Sequence, residues 1–72
     1  YVRVGDWVTV KEDGYDEEER YFLVGPAEAD PAGGRISIES PLGKALVGSK
    51  VGDIITVNAP NGFLNFRVVS MG

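Results

Sequence analysis

Ser40-Pro41-Leu42-Gly43-Lys44-Ala45-Leu46-Val47-Gly48 is the one stretch of this chain with helix start and stop signals of its own; everything around it reads as strand or turn. Ser40 suits the N-cap, where its hydroxyl accepts from a first-turn amide. Pro41 then takes the first helical position, where a missing N–H costs nothing. Gly48 closes the element. Leu42, Ala45 and Leu46 stand at i, i+3 and i+4, which gives one apolar face that must lie against the surrounding strands. A helix of about seven residues spans roughly 10 Å and is too short to persist alone, so packing has to hold it.

Upstream of the helix, Val4-Gly5-Asp6-Trp7-Val8-Thr9-Val10 reads as a turn leading into a strand, with Val8 and Val10 facing inward and Trp7, Thr9 and Lys11 facing out. Glu12 to Glu19 then supplies six carboxylates in eight residues. That composition belongs in a solvated hairpin connection, and it lacks the alternating ligand register of a calcium loop. Glu19 to Val24 is the second strand, ended by Gly25-Pro26. Ala27 to Gly34 reads as a loop with at most one helical turn, and Arg35 to Glu39 as a short alternating strand with Ile36 and Ile38 inward. Downstream, Ile54 to Asn58 and Phe63 to Val69 are strands joined through Pro60-Asn61-Gly62, where Asn-Gly is a strong hairpin signal.

Val4-Gly5-Asp6-Trp7 and Val51-Gly52-Asp53-Ile54 echo each other, through duplication or through a shared way of starting a strand; so short a match favours the latter. Five strands and one helix between the third and fourth predict an α+β fold: a curved antiparallel sheet packed on one short helix. The expected core is Val8, Val10, Phe22, Val24, Ile36, Ile38, Leu42, Leu46, Ile55, Val57, Phe66 and Val68.

The 72 residues suffice for a single domain, residues 1–72, that buries only about 60% of its unfolded surface. With no cysteine and no histidine, the chain has no disulfide framework, no thiolate or imidazole metal site and no Ser-His or Cys-His nucleophile. No catalytic residue, metal ligand or cofactor is therefore expected. A net charge of −4 is the wrong sign for a module held to nucleic acid through phosphates, so no direct specific DNA binding is expected. No apolar run approaches the length of a membrane span, and a cytoplasmic, monomeric protein is the expectation. The chain starts at Tyr1, already close to a strand, which reads as a fragment of something longer.

The segments Val24-Gly25-Pro26-Ala27-Glu28-Ala29-Asp30-Pro31, Ile36 through Gly48, Lys50-Val51-Gly52-Asp53 and Ala59-Pro60-Asn61-Gly62, in this order and spacing, resemble the C-terminal domain of the Gre family of bacterial transcript cleavage and elongation factors. That domain family also includes Gre-like anti-cleavage factors. The resemblance covers essentially the whole chain and implies an FKBP-like fold. It implies a non-catalytic module that docks on bacterial RNA polymerase at the rim of the secondary channel, gripping a coiled coil of the β′ subunit. The contact surface it implies here is Asp30 together with Ser40, Pro41, Leu42 and Gly43, with Lys44 ranking below them. The N-terminal coiled coil of the family, with its acidic tip, is not in this sequence, and the acidic run from Glu12 to Glu19 lies between two strands instead. Two alternatives remain: a stand-alone relative described as a regulator of nucleoside diphosphate kinase, and a peptidyl-prolyl isomerase, an activity the FKBP-like fold hosts elsewhere.

Overall fold

The computed structural model describes all residues, Tyr1–Gly72. Its strands are β1 (Trp7–Glu12), β2 (Glu18–Val24), β3 (Arg35–Ser37), β4 (Ile54–Ala59) and β5 (Gly62–Met71), with one α-helix, α1 (Pro41–Leu46), between β3 and β4. They form a five-stranded sheet in the order β3-β2-β1-β5-β4. The helix packs on the inner face, where Leu46 joins a cluster with Val8, Val10, Leu23, Ile55, Val57, Phe66 and Val68.

The sheet is mixed rather than wholly antiparallel. β1 pairs with β2 and β5, and β4 with β5, in antiparallel fashion, whereas β2 and β3 run parallel in the register Leu23↔Ile36. The antiparallel expectation holds at the two hairpins and at the β1–β5 pair, and it fails only between β2 and β3. Between β2 and β3 the chain folds into two short 3-10 turns, Pro26–Glu28 and Pro31–Gly33, each opened by a proline. Asp30 and Arg35 then exchange backbone hydrogen bonds of 2.8 and 3.0 Å, which returns the chain to the start of β3. The connection is shorter than the usual parallel crossover of a dozen or more residues, and two proline-started turns, where one at most was expected, make it compact enough to fit.

The inward face of β2 also differs from the expectation. Val8 lies opposite Tyr21 and Trp7 opposite Phe22. Residues directly opposite share a face, so Tyr21 and Leu23 point inward while Phe22 joins Trp7 outside, their ring centroids 4.9 Å apart. Leu23 is fully buried in the cluster, and Val24 is buried outside it. Tyr21-Phe22-Leu23-Val24 is apolar at both parities, so alternation alone cannot choose its inner face; the pairing register does. Val2, absent from the expected core, is fully buried because its N–H bonds Ser49 and its carbonyl accepts from Gly48, which draws the N-terminal segment across the end of α1. Ile38 and Leu42 are half-buried against the cluster rather than inside it.

Two expectations about turns resolve at atomic level. The β4–β5 reversal is centred on Pro60-Asn61, flanked by the pair Ala59↔Gly62. Gly62 alone takes positive φ there, at +128°, and Asn61 does not. The two Val-Gly-Asp stretches fold alike. The Arg3 and Lys50 amides each donate to the Oδ2 of the aspartate three residues on, both at 2.9 Å. Gly5 and Gly52 sit at φ +90° and +94°, as the third position of a type II turn requires. Each glycine amide then bonds a neighbouring strand, at Leu23 and at Val68, at 2.8 Å.

Leu46 is fully buried at the centre of the helix–sheet contact. Leu46→Ala should therefore cost about 2–5 kcal/mol, read as a matching drop in denaturation free energy. A melting temperature within a degree or two of the parent's would contradict the placement of α1.

Candidate functional site

The residues expected to form a contact surface gather at the corner where β3 passes into α1, with one exception. The corner is built by hydrogen bonds within the chain. Ser40 Oγ accepts from the Gly43 amide at 3.1 Å and donates to the Ser37 carbonyl at 2.7 Å, while the Ser40 carbonyl accepts from the Lys44 amide at 2.8 Å. Ser37 Oγ in turn accepts from the Glu39 amide at 2.9 Å. The hydroxyl of Ser40 is thus spent on holding the turn, as a capping serine's is.

Gly43 is buried, and a Cβ built on it would lie 1.9 Å from the Ser37 carbonyl oxygen. Its part in the corner is to let the helix rest on the backbone of β3, and it offers no surface itself. Pro41 and Lys44 are exposed and Leu42 is half-buried, so these three side chains are what the corner presents to solvent. The arrangement is convex, a rigid proline beside a partly open leucine with a cation next to them, which suits a macromolecular partner better than a small ligand.

Asp30 stands apart from the corner. Its backbone pairs with Arg35 at the start of β3, whereas Ser40 follows the end of that strand. Asp30 is exposed, and its carboxylate lies over Gly33. The turn after β2 approaches the corner instead, since the Ile38 amide bonds the Val24 carbonyl at 3.0 Å just before Pro26–Glu28. Asp30 and the helix corner therefore mark two ends of the edge strand β3 rather than one spot.

The acidic run forms the β1–β2 connection and bears none of the expected contact residues. With Lys11, Ile54 and Arg67, its Tyr15 and Asp16 line an open cleft of about 530 Å³ at the far end of the sheet. No three carboxylates in it converge to hold a metal ion. One inward residue of β2 is electrostatically perturbed. The Tyr21 hydroxyl donates to Glu19, and its phenol is pushed up from the ordinary value near 10 to about 12, first by burial, then by that hydrogen bond and by the charges of Glu19 and Glu12. Alternation in β2 was the signal that could have found it, and the four-residue apolar run hid it.

The family model described as "Transcription elongation factor, GreA/GreB, C-term" matches residues 1–72. Among curated relatives, the GreA of Clostridium botulinum is 51% identical over 70 residues, which is 97% of this chain and 44% of that protein. The GreA of Acetivibrio thermocellus is 46% identical over the same length. Among solved structures, Gfh1 of Thermus aquaticus superposes with a TM-score of 0.85 at 36% identity, covering 97% of this chain and 46% of that one. The GreA/GreB factor of Nitrosomonas europaea superposes at 0.79 and 35% identity, covering 97% and 58%. The chain spans less than half the length of the curated relatives it matches.

Two outcomes are expected. Gly43→Ala forces the helix off Ser37 and should cost about 1–3 kcal/mol or more in denaturant unfolding, an unusually large penalty for a helical glycine-to-alanine change. Tyr21 keeps its proton in the folded state after the unfolded chain would release it. Its contribution to stability is therefore intact below pH 10 and is lost as pH rises through about 12. The melting temperature of Tyr21→Phe should accordingly fall less than the parent's over that window.

Proposed function

The chain belongs to the GreA/GreB family of transcription elongation factors, its residues 1–72 matching the C-terminal domain, and from that premise we propose that it is the docking module of such a factor. It seats on bacterial RNA polymerase at the rim of the secondary channel, against the β′ coiled coil, and takes no part in chemistry itself. The module works as a cytoplasmic, monomeric domain beside the remainder of a Gre-type factor.

The observation that carries this reading is the way the corner divides its labour. Ser40 and Gly43 turn inward and fix the backbone, while Pro41, Leu42 and Lys44 face solvent on that fixed backbone. A convex, preorganised apolar knob loses little conformational entropy on binding, which favours affinity for a helical surface. Asp30, exposed at the other end of β3, extends the contact along the edge strand and supplies a negative charge for a basic side chain of the partner. The Ser37 and Ser40 hydroxyls serve the turn, and the exposed Lys44 adds a cation beside the knob.

The test is a pull-down with a β′ fragment containing the coiled coil. The parent chain should retain it, and Pro41→Glu, which places a charge on the knob without disturbing the Ser40 cap, should lose most of the binding. Failure of the parent to bind would overturn the proposal. Equal binding by the variant would move the contact elsewhere on the domain.

A further inference from the structure

The outer face of the sheet, opposite the helix, departs from the rest of the molecule in charge. The pairing registers put Lys11 of β1, Arg20 of β2, Arg35 of β3 and Arg67 of β5 on that face, against the single strand carboxylate Glu18. Among the strand residues this is a surplus of three positive charges, cut to one where Asp13 and Asp16 of the β1–β2 connection reach the Lys11 and Arg67 end, in a chain whose net charge is −4. Lys11 and Arg67 lie directly opposite each other on adjacent strands, a like-charge pairing that costs stability in an antiparallel ladder. Among the chain's cations, Arg20 is the one whose side chain donates a hydrogen bond within the protein, to the Gly72 carbonyl at 3.1 Å.

Two aromatic rings lie among these cations and a third stands beyond Arg67 along β5. Trp7 and Phe22 pack together beside Arg20, whose guanidinium stands 4.6 Å over the indole, and Phe63 projects from β5 with 70% of its surface exposed. The four cations occur on four neighbouring strands, and at the usual strand spacing they cross about 14 Å of sheet. The acidic β1–β2 connection bounds this face at the Lys11 end, bringing Asp13 and Asp16 to the cleft that Lys11 and Arg67 also line.

We propose that the outer face of β3-β2-β1-β5 is a binding surface for single-stranded nucleic acid, with Lys11, Arg67, Arg20 and Arg35 on its phosphates, Phe63 under a base and the Arg20-capped Trp7 beside the strand. Cations supply a sequence-independent hold on the backbone, and exposed rings supply stacking that any base can use. An acidic peptide would use the cations alike but would leave the open ring of Phe63 with nothing flat to cover it, which is why the observations favour a strand of bases. The face is distinct from the helix corner, lying on the other side of the sheet, so the two surfaces can be occupied together.

Trp7 is the sole tryptophan of the chain, which makes its emission a local reporter of this face. Titration of the 72-residue chain with oligo(dT) at low salt should quench that emission to saturation. The logarithm of affinity should fall with the logarithm of salt concentration with a slope of about 3, as four phosphate contacts on a single strand require. The double variant Lys11→Glu, Arg67→Glu should bind about tenfold more weakly or worse. Phe63→Ala, which changes no charge at an exposed position, should also weaken binding while leaving the melting temperature close to the parent's. No quenching at low salt, or quenching undiminished in the charge-reversed variant, would overturn the proposal. So would displacement of the oligonucleotide by polyglutamate as effective as by unlabelled oligonucleotide, since that would mark a site for acidic polymers in general.

Discussion

The contact on which the structure depends most is the seating of the Gly43 Cα against the Ser37 carbonyl. A helix of one and a half turns has no stability of its own, so its position must be imposed by what it touches. Here the imposition is covalently short-range and sterically tight. Ser40 ties itself to Ser37 behind and to Gly43 ahead, and the absence of a side chain at residue 43 lets the helix axis drop onto the end of β3. Leu46 is carried by that geometry into the centre of the inner face, and the same geometry turns Pro41, Leu42 and Lys44 outward. Stability and surface display are thus two results of one local arrangement.

The remainder of the chain supplies a curled sheet to receive the helix. Its curvature has an identifiable source in β5, where Thr9 pairs with Ser70 but Val10 pairs with Val68, leaving Val69 as an extra residue. A bulge of this kind sharpens the local twist and lets a long strand wrap around a small core. The two Val-Gly-Asp turns close the sheet's ends by the same device: an aspartate carboxylate caps its own turn and a glycine at positive φ hands its amide to the next strand. Their likeness in sequence is explained by a shared local solution without any need for duplication.

Much of the fold was legible because its signals are short in range. The helix cap at Ser40-Pro41, the alternation in β1 and the turn residues before Trp7 and Ile54 act within a few positions, and each is found where the pattern put it. The resemblance carried by the segments from Val24 to Gly62 pointed to the family that the relatives bear out. What escaped was of longer range. The direction of β3 depends on how compactly residues between Gly25 and Gly34 fold, and the burial of Val2 depends on a pairing with residues far along the chain. At the candidate contact surface, the residue types were readable but their division was not: Gly43 is buried under the corner and Asp30 stands at the other end of β3.

By itself the sequence determined where the chain bends, caps and alternates, because those choices are settled by φ preferences, missing amides and side-chain hydrogen bonds between close neighbours. Tertiary structure alone decided that β3 runs parallel to β2, that Leu23 rather than Phe22 faces inward, and that four cations scattered along the chain come to share the outer face. The first follows from how compactly the connection from Gly25 to Gly34 folds, and the other two are matters of register between strands. A run apolar at both parities is equally compatible with either face until its partner is chosen, and that choice is made by backbone pairing across the sheet.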